Sequence, residues 1–120
     1  MKKFTYQNKE YDFLYNSDDE ALVDRHDKAD RKRVAAMQEL NDKELTQVEQ
    51  NRELAHVFCN YIDETLGDGT CNAVFGAETT LNAVRKMGNT LFNYIVECMK
   101  EERSAVEKPQ LNREQRRAKH

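Results

Sequence analysis

Aromatic and polar residues alternate at the start of the chain, with the period of two that is typical of a half-buried β-strand. Between the two alternating runs, residues 7–9 supply a turn, and Asn8 tolerates the left-handed backbone that a tight hairpin needs. Residues 3–15 are therefore predicted to form a β-hairpin. Its aromatic face should pack on a helix, because a lone two-stranded ribbon is marginal in water. The alternating aromatic residues are Phe4, Tyr6, Tyr11, Phe13 and Tyr15.

A first helix is predicted for residues 18–40. Ser17 and Glu20 have the spacing of a capping box, in which each side chain accepts a hydrogen bond from the other residue's backbone amide. Apolar positions are sparse along this segment, and residues 24–33 carry eight charges in ten positions. We expect this helix to pack at both ends and to be solvated in between, with His26 an ordinary surface or boundary residue.

A second helix is predicted for residues 42–66, and its amphipathic pattern is clearer than that of the first. Asn41 and Glu44 have the spacing of a second capping box at its start, and Gly67 suits the C-cap position at its end. The apolar stripe follows the helical period and predicts one buried face. Its members are Leu45, Val48, Ala55, Phe58 and Ile62.

A third helix is predicted for residues 79–106, after a short helical turn at residues 71–76. Gly88 lies inside its apolar stripe, where glycine costs about 1 kcal/mol relative to alanine, so we expect a close helix–helix approach there. The predicted fold class is therefore mainly α: an N-terminal β-hairpin packed on a three-helix arrangement. The predicted core is Phe58, Tyr61, Ile62, Phe75, Leu81, Val84, Leu91 and Ile95.

Composition and charge fit one polar domain, residues 1–107, followed by a basic tail. The 120-residue chain is 38% hydrophobic and 34% charged, with a net charge of −3. A chain of this length can hold a modest core without metal or disulfide staples. From Lys108 to His120 there are five Lys or Arg residues against one Glu, so this tail is +4 and the remainder is −7. The tail, residues 108–120, is predicted to be flexible.

The cysteines and histidines do not form a recognisable catalytic or metal centre. Cys59, Cys71 and Cys98 lack close pair spacing, and the sequence shows neither a secretory signal nor a membrane-spanning apolar run. We therefore expect reduced thiols and a cytoplasmic location. His56 and Cys59 are one helical turn apart, but their spacing matches no recurring zinc pattern. The sequence predicts a non-enzymatic protein without metal or cofactor.

Two basic clusters are candidate contact regions. The first, residues 25–33, is interleaved with acidic residues and fits an ion-paired solvent face. The second lies in the tail and has no aromatic residue to stack on bases, which disfavours nucleic acid. A docking segment for a protein partner and a plain solubilising tail both stay open for it. Its candidate partner-binding residues are Arg113, Arg116, Arg117 and Lys119.

A central segment and the C-terminus carry a specific order of motifs. The matching positions are Ile62-Asp63, Leu66-Gly67, Gly69-Thr70 and Phe75-Gly76, and then Asn112-Arg113 with Gln115-Arg116-Arg117. This order resembles a family of small uncharacterised proteins encoded by phages and prophages of Gram-positive bacteria. Its members carry an F-D-x-x-F-G-x-G-T-x-x-x-x-F-G segment and end near N-R-x-Q-R-R. Leu66 stands where the family usually has Phe, and Ala77 where members often continue with Gly.

The resemblance implies a role in phage tail morphogenesis, because the family's genes usually lie near the major tail and tape-measure genes. The expected function is a tail-assembly chaperone that binds an apolar helical segment of the tape-measure protein, with the basic tail tuning the contact. An inhibitor of a host defence protein, such as an anti-CRISPR-like protein, is the alternative, and a component that stays in the virion is a third reading. The expected partner is a phage structural protein (tape measure or tail tube) or a host protein. Nucleic acid and membrane are disfavoured, and a homo-oligomer stays open.

Overall fold

The computed structural model describes the backbone of residues 2–119 and the side chains of residues 2–102. The chain is mainly helical and begins with a two-stranded antiparallel hairpin, as predicted. Within the described part, no helix combines the length and the apolar character needed to cross a membrane. In chain order the elements are β1 (Thr5–Tyr6), β2 (Lys9–Glu10), α1 (Glu20–Asn41), α2 (Gln47–Leu66), α3 (Thr70–Phe75), a 3-10 turn (Gly76–Glu78) and α4 (Leu81–Lys119).

The hairpin packs its aromatic face on α4. Asn8 has a φ angle of 64° and forms the turn together with Gln7, which is the left-handed geometry expected for a tight hairpin. The ring centroid of Tyr94 lies 5.4 Å from that of Phe4, and its hydroxyl donates a 2.7 Å hydrogen bond to the Lys2 carbonyl. The regular strands are shorter than the predicted hairpin. Four of the five alternating aromatic side chains are nevertheless buried: Phe4, Tyr6, Phe13 and Tyr15.

The first helix, α1, begins two residues later than predicted, and its N-cap is Asp19 rather than Ser17. The Asp19 carboxylate accepts a 3.2 Å hydrogen bond from the Leu22 amide. Ser17 instead faces α4, where its amide donates a 3.1 Å hydrogen bond to the Glu102 carboxylate and its hydroxyl contacts the same group. The predicted capping box at Ser17 is therefore wrong, because a residue closer to the first turn takes the cap.

One side of the middle of α1 is buried, against the prediction of a solvated segment. His26 is 7% exposed and Ala29 is 1% exposed. The Nε2 atom of His26 shares a 2.8 Å hydrogen bond with the Tyr61 hydroxyl of α2. Six of the eight charged residues within 24–33 remain exposed on the other sides of the helix. The prediction that the charged residues form a solvent-exposed face was correct. The same segment of the helix also carries a buried stripe, which contains His26 and Ala29.

The second helix, α2, begins at Gln47, five residues after the predicted start. Thr46 caps it and forms a complete capping box with Glu49. Asn41, the predicted cap, is the last residue of α1. The predicted end is confirmed, since α2 stops at residue 66 and Gly67 follows as its C-cap with a φ of 132°, a backbone region that favours glycine.

Two links fasten α3 to α2. Cys59 and Cys71 form a disulfide whose Cα atoms lie 5.5 Å apart. The Asp63 carboxylate accepts a 2.8 Å hydrogen bond from the Cys71 amide. The expectation of three reduced cysteines is therefore wrong for this pair, because the turn after α2 folds α3 back onto it. Cys98 is a buried free thiol.

The helices α2 and α4 approach each other closely at Gly88, as the sequence predicted. A Cβ at this position would lie 2.9 Å from Cδ1 of Phe58, so only a hydrogen fits there. Phe75 and Leu81, which were predicted in the core, are half-buried, and Met87 is fully buried in addition. The other six predicted core residues are buried: Phe58, Tyr61, Ile62, Val84, Leu91 and Ile95.

The last helix extends to Lys119, beyond the predicted end at residue 106. Side chains from residue 103 onward lie outside the described part of the structure. The flexibility predicted for residues 108–120 is therefore not tested, and neither is the division of the chain at residue 107.

Candidate functional site

A surface groove lies between α1 and α4. Both helices pack on α2, and between them they leave a volume of about 450 Å³, which we call the α1/α4 groove. On α4, Phe92, Val96 and Met99 have the i, i+4, i+7 spacing that places side chains on one helix face. The groove is therefore built by one continuous face from each helix, closed at one end by the loop that carries Tyr15 and Ser17.

The bottom of the groove is apolar and partly exposed. Phe92 is 37% exposed and Met99 is 41% exposed, although both are large apolar side chains. Ile95 between them is fully buried, so the exposed surface continues directly into the core. Phe92 and Met99 thus leave apolar surface exposed on either side of the buried Ile95. The apolar floor, as we call it, consists of Val23, Phe92, Ile95, Val96 and Met99.

Acidic residues line the α1 side of the groove. Asp24 and Asp27 form 2.8 Å and 3.1 Å ion pairs with Lys28 and Arg31, which stand on the neighbouring face of the same helix. No Lys or Arg is among the described residues that line the groove. The groove side of α1 therefore presents carboxylates, and Arg33 at one end of the groove is paired with Asp30. The acidic rim, as we call it, consists of Glu20, Asp24, Asp27 and Asp30.

His26 lies at the base of the groove between three aromatic rings. Its ring centroid is 6.3 Å from that of Tyr15, 5.7 Å from that of Tyr61 and 6.3 Å from that of Phe92. Burial lowers the pKa of His26 because it disfavours the charged ring. The carboxylates of the rim act in the opposite direction without reversing this. The imidazole is therefore mostly neutral at pH 7, and it does not offset the negative rim.

Two contacts across the groove ends hold α1 and α4 in place. At one end, the Arg33 guanidinium lies 5.8 Å from the Phe92 ring centroid and forms a 2.7 Å ion pair with Asp30. At the other end, Ser17 contacts Glu102. The two contacts therefore join α4 to α1 at one end of the groove and to the loop before α1 at the other.

A second depression, of about 380 Å³, lies between α2 and the start of α4. It contains His56 and Cys59, the pair weighed as a metal site in the sequence. Cys59 is bonded to Cys71 instead. Within the described residues, no group of three or more His, Cys, Asp or Glu side chains is placed to hold a metal ion.

The structure does not test the site residues predicted in the tail. Their side chains lie outside the described part of the chain: Arg113, Arg116, Arg117 and Lys119. The groove, in contrast, was missed by sequence reasoning, which assigned residues 24–33 to a solvent face. The sequence feature that could have indicated the groove is the helix face shared by positions 20, 23, 24 and 27, on which acidic residues lie on both sides of a valine.

The hairpin-on-helices fold and the groove define a small, mainly helical protein with an open surface groove between α1 and α4. A comparison with known families places the chain in one of them: it belongs to the family of unknown function DUF6673, whose model matches residues 8–120. Neither the curated proteins nor the solved structures contain a match to it. The family description names no activity or partner.

Proposed function

We propose that this protein binds an amphipathic helix of a partner protein in the α1/α4 groove. The observation that carries the proposal is the exposed part of the apolar floor, where Phe92 and Met99 remain 37% and 41% exposed along one face of α4. Burial of apolar surface contributes about 25 cal/mol per Å². A partner that covers these side chains therefore gains affinity from contacts that the isolated chain leaves open.

The size of the groove supports a helix as the ligand. Glu20 and Asp30 of α1 are ten positions apart, a rise of about 15 Å, which is almost three helical turns. A helix of this length places apolar side chains at i, i+4 and i+7 along the apolar floor, which is the usual helix-in-groove mode of recognition. Because the contacts at Arg33 and Glu102 already fix both ends of the groove, little ordering is needed on binding.

Within this class of function, we infer from the sequence resemblance that the partner is a phage structural protein. A tape-measure protein exposes long apolar helical stripes, and a tail-assembly chaperone would cover them until tail-tube subunits polymerise. This role needs no catalytic group and would be performed in the host cytoplasm. A host defence protein is the alternative partner. Co-expression with a tape-measure fragment, a tail-tube protein or a defence enzyme, followed by affinity purification, distinguishes these partners.

The groove itself is tested with one pair of matched variants of the full chain. Met99→Gln places an amide on the apolar floor, whereas Val34→Gln changes a side chain of equal 41% exposure that does not line the groove. Binding of a fluorescent amphipathic helical peptide is measured by anisotropy. We expect Met99→Gln to weaken binding about tenfold and Val34→Gln to leave it unchanged. Equal effects of the two variants, or no binding by the unchanged chain, would refute the proposal.

A further inference from the structure

We propose that the α1/α4 groove selects a partner helix that carries Lys or Arg residues on the flank of its apolar face. The inference rests on the proposed function and adds the chemical class of the partner. It is drawn from the charge around the groove: all four acidic rim residues belong to α1, and Arg33 at one end of the groove is already paired with Asp30. A helix seated on the apolar floor would lie with one flank along this acidic rim.

The carboxylates of the rim can accept further hydrogen bonds. The ion pair of Asp24 engages Oδ2, and that of Asp27 also engages Oδ2. Their partners, Lys28 and Arg31, are 68% and 80% exposed, and exposed i, i+4 pairs are weak. A cation of the bound helix can therefore bind the second oxygen of each carboxylate, or displace Lys28 or Arg31 from it at a small cost in free energy.

Binding in the groove is also disfavoured for a helix that covers the acidic rim without bringing cations to it. A docked helix removes water from the groove side of Asp24 and Asp27, and a carboxylate that loses water without gaining a partner is unfavourable. A helix with Glu on the same flank adds like-charge repulsion. The rim therefore discriminates in both directions, by attraction of basic helices and by rejection of acidic ones.

Other ligand classes fit this charge pattern less well. Nucleic acids and anionic lipid surfaces bind through Lys and Arg, and the groove presents Glu20, Asp24 and Asp27 instead. A second copy of this chain is a different case, because its residues 108–120 carry a charge of +4. That occupant is distinguished by the measurements below.

The test uses two peptides of equal length and equal apolar face, one with Lys and the other with Glu at the flanking positions. Their affinities for the full chain are measured by anisotropy at low and at high salt. We expect the Lys peptide to bind about tenfold more tightly at low salt and the difference to shrink as salt screens the rim. The rim variant Glu20→Gln/Asp24→Asn/Asp27→Asn should remove most of the difference. A matched control, Asp42→Asn/Glu44→Gln/Glu53→Gln, neutralises three exposed acids that do not line the groove and should keep it.

The outcomes separate this inference from the proposed function. If both peptides bind with equal affinity through Met99, the groove is a docking site but the inference about charge is wrong. If neither peptide binds, both proposals fail. Sedimentation of the full chain alone, which we expect to show a monomer, gives the remaining outcome. A dimer that dissociates in the rim variant would overturn the assignment to a separate partner. The occupant of the groove would then be the tail of a second copy of this chain.

Discussion

Gly88 of α4 packs against the ring of Phe58 on α2, so closely that a Cβ in its place would lie 2.9 Å from Cδ1 of Phe58. Phe58 is only 4% exposed and is held by the core on its other sides. The ring therefore has little room to move away. This contact sets the distance between α2 and α4. It thereby sets the position of the α4 face that contributes to the apolar floor of the groove.

The first prediction concerns this contact. Gly88→Ala should destabilise the protein by about 1–3 kcal/mol, because overpacking of a tight core contact outweighs the helix propensity of alanine. Urea unfolding followed by circular dichroism measures the change. Asn89→Ala, at the exposed neighbouring position, should be neutral or stabilising. A more stable Gly88→Ala variant would show that the two helices are not in close contact.

The second prediction concerns the hairpin. Besides its 2.7 Å bond to the Lys2 carbonyl, the Tyr94 hydroxyl accepts a 3.3 Å hydrogen bond from the Tyr15 amide. Tyr94→Phe should therefore cost about 1–3 kcal/mol and should speed hydrogen exchange at the Tyr15 amide. Tyr11→Phe is the control, since the Tyr11 hydroxyl makes no hydrogen bond among the described residues. Equal exchange rates at Tyr15 in both variants would contradict the contact.

Much of the fold could be predicted from the sequence, because it depends on local patterns. The aromatic residues with a period of two predicted the hairpin, and the apolar stripes of α2 and α4 predicted most of the core residues. The helix starts were misplaced where two capping candidates compete within a few residues, as with Ser17 and Asp19. In the structure Asp19, closer to the first turn, caps the helix, while Ser17 contacts Glu102; that contact is distant in sequence, and no local pattern contains it.

The candidate site was harder to predict for a related reason. His26 reads as a polar residue in a charged run, yet positions 22, 26, 29, 33, 37 and 40 continue one helical stripe when His26 and Arg33 are counted in it. Both residues are accommodated by aromatic partners on α2 and α4, namely Tyr61 and Phe92. A hydrophobicity pattern cannot reveal that a polar side chain has a partner of this kind.

The third prediction concerns the pH dependence of stability. The pKa of His26 is lowered from its usual 6.5, mainly by burial, while Asp30 and Asp27 raise it and Arg33 lowers it. The unfolded chain therefore binds a proton more readily, and the stability that the neutral ring contributes is fully present above about pH 6.5. It should be lost as the pH falls from there through the folded-state pKa.

Urea unfolding between pH 7.5 and pH 5 measures this effect. His26→Gln should remove the part of the pH dependence that arises from burial of the ring. His56→Gln, which changes an exposed histidine of α2, should leave it intact. The account of His26 would be wrong if both variants kept the full dependence of the unchanged chain.

The fourth prediction concerns the link between α2 and α3. Cys59 and Cys71 are 12 positions apart, and closing a loop of this size stabilises a protein by about 3 kcal/mol in the chain-entropy model. In a reducing compartment the bond would open, so the reduced protein should melt at a lower temperature. Cys59→Ser should melt at the same temperature with and without reductant. Alkylation of all three cysteines in the non-reduced protein, detected by mass spectrometry, would contradict the disulfide.

The central claim is that the α1/α4 groove binds a partner's helix, and methyl NMR tests it most directly. The full chain, with labelled Met, Ile and Val methyl groups, is titrated with the Lys-flanked amphipathic peptide. The account predicts chemical-shift changes at the methyl-bearing residues of the apolar floor, namely Val23, Ile95, Val96 and Met99. It predicts none at the exposed methyl groups of Val34 and Val48, which lie outside the groove. Changes centred on Val34 or Val48, or a spectrum that the peptide leaves unaltered, would contradict it.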